Sequence, residues 1–117
     1  MPSTTGFEFG EVVLVDFPFT DRAGARKRPA VVVSSLLYNQ RRRDVILMPV
    51  TSRLRTPPGF GETPVTLWRE AGLLVPGAVK PILLTLDSTL VLRRLGRLEP
   101  VDRTALEVAL RGIVSAS

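Results

Sequence analysis

Short apolar runs, each broken within a few residues by Gly, Pro or charge, confine this 117-residue chain to small, sharply turning sheets. Val12 to Val15, Ala30 to Val33, Val45 to Val50, Pro64 to Trp68 and Ile82 to Leu86 are β-branched or leucine-rich and read as strands. Phe17 to Arg28 joins the first two runs and is too irregular for a helix and too long for a tight hairpin, so it is expected to be a mobile loop overhanging the sheet. Arg53 to Thr63 carries Pro57, Pro58, Gly59 and Gly61 and reads as a second flexible loop without secondary structure. Leu36 to Arg43 predicts at most a helical turn. The end of the chain is helical: Pro100 and the N-cap candidate Asp102 precede Ala105, Leu106, Val108, Ala109, Leu110, Ile113 and Val114. No repeat or linker marks a second unit, so residues 1–117 are expected to form one domain. Many short strands and one late helix predict a mainly β fold, a small, strongly bent barrel whose open face the helix caps.

The formal charge of +5 is concentrated rather than spread. Residues 22–55 hold nine basic side chains (Arg22, Arg26, Lys27, Arg28, Arg41, Arg42, Arg43, Arg53 and Arg55) against the single acid Asp44, a local excess larger than that of the whole chain. Such a region attracts polyanions, and nucleic acid is the natural partner. An acidic protein segment satisfies the same field, and charge alone does not separate the two. A membrane surface fits less well, because no long basic amphipathic helix is visible.

The chain has no Cys and no His, which removes disulfides, thiolate nucleophiles and the commonest general base and metal ligand. Neither a cofactor nor a metal is expected. Met1 to Gly6 lacks a basic stretch followed by an apolar core, and no apolar run approaches the ~20 residues of a bilayer span. The expected location is the cytoplasm.

Arg28 is the most informative single residue. In Arg26-Lys27-Arg28-Pro29-Ala30-Val31-Val32-Val33-Ser34 a cationic loop runs straight into an apolar strand, which sets a guanidinium against a rigid sheet. Pro29 has no N–H to donate and fixes its own φ, so it stiffens the junction directly after Arg28. An edge-strand proline and a solvated basic turn give the same pattern without function. Phe17 and Phe19 flank Pro18; they suit stacking on unstacked bases, and equally suit the core. Arg41-Arg42-Arg43 reads most simply as a solvated face, with a phosphate track or a landing site for an acidic partner as the functional version.

The order and spacing of several blocks resemble the MazF/PemK family of toxin endoribonucleases. Gly10-Glu11-Val12-Val13-Leu14-Val15-Asp16-Phe17-Pro18-Phe19-Thr20-Asp21 is similar to that family's opening strand and loop, and Lys27-Arg28-Pro29-Ala30-Val31-Val32-Val33-Ser34 to its Arg-Pro strand. Val50-Thr51-Ser52 resembles the threonine-bearing end of the next strand. Gly72 to Pro76, Thr85-Leu86-Asp87 and Leu95-Gly96-Arg97-Leu98 resemble the later part, so the likeness runs from about Gly10 to the last helix. It implies a compact SH3-like barrel with a C-terminal α-helix, the MazF/PemK/CcdB type, forming a homodimer that cuts single-stranded messenger RNA without metal. It further implies an acidic cognate antitoxin, a catalytic pair at Arg28 and Thr51, and RNA contacts from Phe17, Phe19, Lys27, Pro29, Ser52, Arg53 and Lys80. The implied reaction is attack of a 2′-hydroxyl on the adjacent phosphate, leaving a cyclic phosphate and a free 5′-hydroxyl.

Charge builds on phosphoryl oxygens during in-line attack, and a fixed guanidinium offers them two parallel donors. Thr51 adds a hydroxyl with few rotamers. Arginine at its ordinary pKa is a poor base, so proton removal is not assigned to Arg28. The chain departs from the family at Pro81-Ile82-Leu83-Leu84, which is apolar where many relatives carry acidic or amide groups that touch RNA; no site residue is placed there. Two other readings stay open: a toxin of the same fold directed at DNA gyrase, and a basic RNA-binding module without catalysis. Binding alone sums over charges, whereas catalysis collapses when Arg28 alone is removed.

Overall fold

The computed structural model describes residues 6–18 and 27–115. Seven strands form it: β1 (Glu11–Asp16), β2 (Lys27–Val32), β3 (Asp44–Thr51), β4 (Thr63–Pro64), β5 (Ala78–Val79), β6 (Leu84–Asp87) and β7 (Val91–Arg97). A six-residue helix, α1 (Leu36–Arg41), links β2 to β3, and α2 (Pro100–Ile113) ends the fold. All pairings are antiparallel, in the order β4-β5-β3-β2-β1-β7, with β6 joined to β3 beside β5. Ends β4 and β7 do not pair with each other, so the sheet curls like a barrel without closing.

Side chains alternate between the faces of the strands, and both faces are buried. Val12, Val31, Met48 and Val50 point to one side, where Leu73, Val79, Leu98 and Leu106 of α2 cover them. Val13, Ala30, Val32, Val45 and Leu47 point to the other side and pack with Phe7 and Phe17. This double burial explains why the middles of β1 to β3 are apolar without alternation, with charged or polar residues only toward the strand ends. The buried Asn39 amide ties α1 down, donating to the Phe7 carbonyl at 2.7 Å and accepting from the Ser34 hydroxyl.

Three expectations need correction. The N-cap of α2 is Glu99, and Asp102 lies inside the first turn. The Asp102 side chain faces inward and accepts from the Thr66 amide (2.9 Å), the Thr66 hydroxyl (2.7 Å) and the Leu67 amide (2.9 Å). That diversion of amides ends β4 at Pro64, so the stretch to Trp68 is a turn pinned to the helix rather than a strand. Strand β7 was not apparent in the sequence, because its adjacent Arg93 and Arg94 interrupt alternation and two register shifts bend it against β1. The Arg53 to Thr63 segment does lack strand or helix up to β4, and Arg55–Glu62 at 2.9 Å fastens it across its base. Most of the Phe17 to Arg28 loop lies outside the described residues.

Candidate active site and nucleic-acid groove

β2 begins and β3 ends at the same edge of the sheet, which brings Arg28 and Thr51 together. The Arg28 Nη2 reaches the Val50 carbonyl at 3.4 Å, so the guanidinium lies across the strand that carries Thr51. Thr51 is only 7% exposed, and its Oγ1 accepts the Arg53 amide at 3.1 Å. That bond takes one of its two lone pairs and leaves the hydroxyl proton to donate. Pairing of Thr51 with Ala78 holds the strand end from the other side.

Both residues line a groove of about 1160 Å³. Leu14 and Pro29 lie in it, and the Leu73–Pro76 stretch forms a wall whose Leu74 is 94% exposed. Among the described residues five cations line the groove, Arg28, Arg53, Lys80, Arg93 and Arg94, and no acid does. The wall is set by backbone contact: a Cβ at Gly72, where φ is +94°, would collide with the Leu95 carbonyl of β7. Only glycine fits both that conformation and that approach.

Of the residues expected to contact RNA, Pro29, Ser52, Arg53 and Lys80 line the groove together with Arg28 and Thr51. Lys27 is exposed at the start of β2 opposite Asp16, outside the lining. Phe17 is corrected: it is 2% exposed and packs with Phe7, Val13 and Val15, so its ring faces the core and is not presented to a base. Phe19 lies outside the described residues. Ile82 and Leu83 are partly exposed and do not line the groove, and Leu84 packs against the second core. Leu14, Leu74, Val75, Arg93 and Arg94 were missed; the Arg93-Arg94 pair was the one signal that pointed there.

The basic segment is split by the fold. Arg41 ends α1, and Arg42 and Arg43 lead into Asp44 at the start of β3. Thr51 is at the far end of this eight-residue strand, which at about 3.3 Å per residue puts the triple arginine roughly 20 Å from the groove. Arg42 already pairs with Asp44 at 3.2 Å.

Comparison with known proteins agrees with the fold. Sequence comparison with curated proteins finds no match. Among solved structures, the Mycobacterium tuberculosis toxin MazF-mt6 superposes with a TM-score of 0.72 at 18% identity, over 88% of this chain and 94% of that one. MazF from Deinococcus radiodurans gives 0.73 at 23% identity, over 94% and 97%. An endoribonuclease in complex with its cognate antitoxin, from a mycobacterial species, gives 0.71 at 21% identity, over 96% of both chains. Residues 8–114 match the family model of PemK-like, MazF-like toxins of type II toxin-antitoxin systems, and the chain belongs to that family.

Proposed function

We propose that the chain is the toxin of a toxin-antitoxin pair and a metal-independent, sequence-selective endoribonuclease acting on single-stranded RNA. The observation that carries this reading is the meeting of Arg28 and Thr51 in a groove that, among the described residues, is lined by five cations and no acid. The substrate supplies the nucleophile: a ribose 2′-hydroxyl gives up its proton as its oxygen attacks the adjacent phosphorus, the bond from phosphorus to the 5′-oxygen breaks, and the 5′-oxygen takes up a proton as it leaves, with no net gain or loss of protons. The products are a 2′,3′-cyclic phosphate and a 5′-hydroxyl. Arg28 stabilises charge growing on the non-bridging oxygens, and the Thr51 hydroxyl donates to the same centre. The requirement for a 2′-hydroxyl restricts the reaction to RNA.

The same field fits an acidic antitoxin segment, and solved relatives described as complexes of MazE with MazF support such a partner. Family likeness also supports a homodimer with RNA at the subunit junction, which sedimentation of the purified protein would test. The decisive experiment is cleavage of a long single-stranded RNA in excess EDTA, beside Arg28→Ala, with chemical identification of the product ends. Discrete cuts ending in cyclic phosphates, lost in the variant, are expected. Absence of cleavage by folded, antitoxin-free protein would overturn the reading in favour of a gyrase-directed or purely RNA-binding relative.

A further inference from the structure

We propose that Arg93 is a second phosphate-binding residue of the groove, so that bound RNA crosses the strands from Arg28 toward β7. This rests on the ribonuclease reading. Its basis is a cross-strand row: Leu14 stands opposite Pro29 in β2 and opposite Arg93 in β7. Residues directly opposite in antiparallel strands share a face, and all three line the groove. The row forms a floor two strand spacings wide, about 10 Å, that runs from Pro29 to the Arg93 guanidinium, and Arg28, next to Pro29 in the chain, lines the same groove outside the row. Leu14 and Pro29 are apolar and suit ribose or base surface, while Arg93 and Arg28 suit backbone phosphates.

Its neighbour Arg94 shows why Arg93 is the residue of choice. The Arg94 Nε donates to the buried Glu11 carboxylate at 2.6 Å, and its guanidinium lies 4.5 Å from the centre of the Phe7 ring. Arg94 is thereby neutralised and held against the core. Arg93 is exposed and, among the described residues, has neither a carboxylate nor a ring partner. A planar fork with no carboxylate partner among the described residues, beside a groove lined by further cations, matches a phosphodiester.

The test is salt-dependent binding of a mixed-sequence, 2′-O-methylated single-stranded RNA, which cannot be cut because it has no free 2′-hydroxyl. Arg93→Gln is expected to lower the slope of log affinity against log salt by about 0.7, the share of one single-strand phosphate, and Arg93→Lys to restore it. Arg41→Gln removes an equal charge from the far end of the sheet and is expected to keep the original slope. Thermal melting of each variant verifies folding. An unchanged slope in Arg93→Gln, or an equal loss in Arg41→Gln, would overturn the assignment while leaving the ribonuclease reading intact. If the unsubstituted protein shows no salt-dependent binding, the ribonuclease reading fails, and this inference with it.

Discussion

The two ends of β3 carry similar charge in unlike settings. At the Asp44 end, Arg41, Arg42 and Arg43 stand exposed, and one is paired with Asp44 across the surface. At the Thr51 end, cations gather around a concave, partly apolar space with no acid in its lining among the described residues. Solvent screens the first set, and a surface ion pair there contributes at most about 1 kcal/mol. The second faces a cavity whose low-dielectric walls focus its field. Clustering in the sequence therefore did not specify a binding face; the antiparallel return of β2 and β3 did, by placing Arg41, Arg42 and Arg43 at one end of the sheet and Arg28 and Arg53 at the other.

The sharpest way to break this contrast is to exchange one charge at the groove for three at the far end. Arg28→Ala is expected to reduce RNA cleavage by on the order of 10²–10³-fold, whereas neutralising Arg41, Arg42 and Arg43 together leaves the single-turnover rate within a few-fold. Comparable losses from both would show that summed charge, not placement, drives the reaction.

Stability should divide along the same line. Gly72→Ala forces a Cβ into the Leu95 carbonyl at a positive φ and is expected to cost about 2–4 kcal/mol in denaturant unfolding. Asp102→Ala removes the acceptor for three donors behind the groove wall and is expected to cost about 2–3 kcal/mol. Asp44→Asn at the opposite end should cost less than about 1 kcal/mol. Equal destabilisation by Gly72→Ala and Asp44→Asn would mean that the wall does not depend on the Gly72–Leu95 contact.

The smallest effect is one of pH. The Glu62 carboxyl is held below its ordinary range, chiefly by its hydrogen bond from Arg55 and then by the Gly59 amide. A carboxylate with a depressed folded-state pKa stabilises above the ordinary carboxylate range and loses that contribution as pH falls through the depressed value. Melting temperature should therefore drop slightly below about pH 4, and Glu62→Gln should flatten that part of the profile.

Much of the fold was legible because its central strands are buried on both faces over most of their length: Val12 to Val15, Ala30 to Val33 and Val45 to Val50 stand out as continuous apolar runs. The catalytic candidates were legible as a pattern, Arg-Pro entering one strand and Thr-Ser leaving the next. The groove wall was not, since Leu73 to Pro76 reads as one more apolar stretch until Gly72 and Gly96 are seen to let two backbones touch. The ring of Phe17 was equally ambiguous, because an aromatic residue at a strand end turns inward or outward according to what the neighbouring strands leave open. Here Phe7, Val13 and Val15 form the pocket that takes it. Asp102 was misread for a related reason: acidic residues near a helix start usually cap it, and only the tertiary approach of the Thr66 turn gives this one donors elsewhere.

β3 is paired with β2 on one side and, on the other, with β6 along its first half and β5 at its end. Those ladders overlap at the middle of β3, where Leu47 is held by both β2 and β6, whereas Thr51 at the strand end is tied to Ala78 of the two-residue β5 alone. The amides around Leu47 therefore belong to the slowest-exchanging set, and the strand end that carries Thr51 opens more readily. The chemical group sits at the boundary between the rigid middle of the sheet and the groove wall, and hydrogen exchange should rank Leu47 as slower than Thr51.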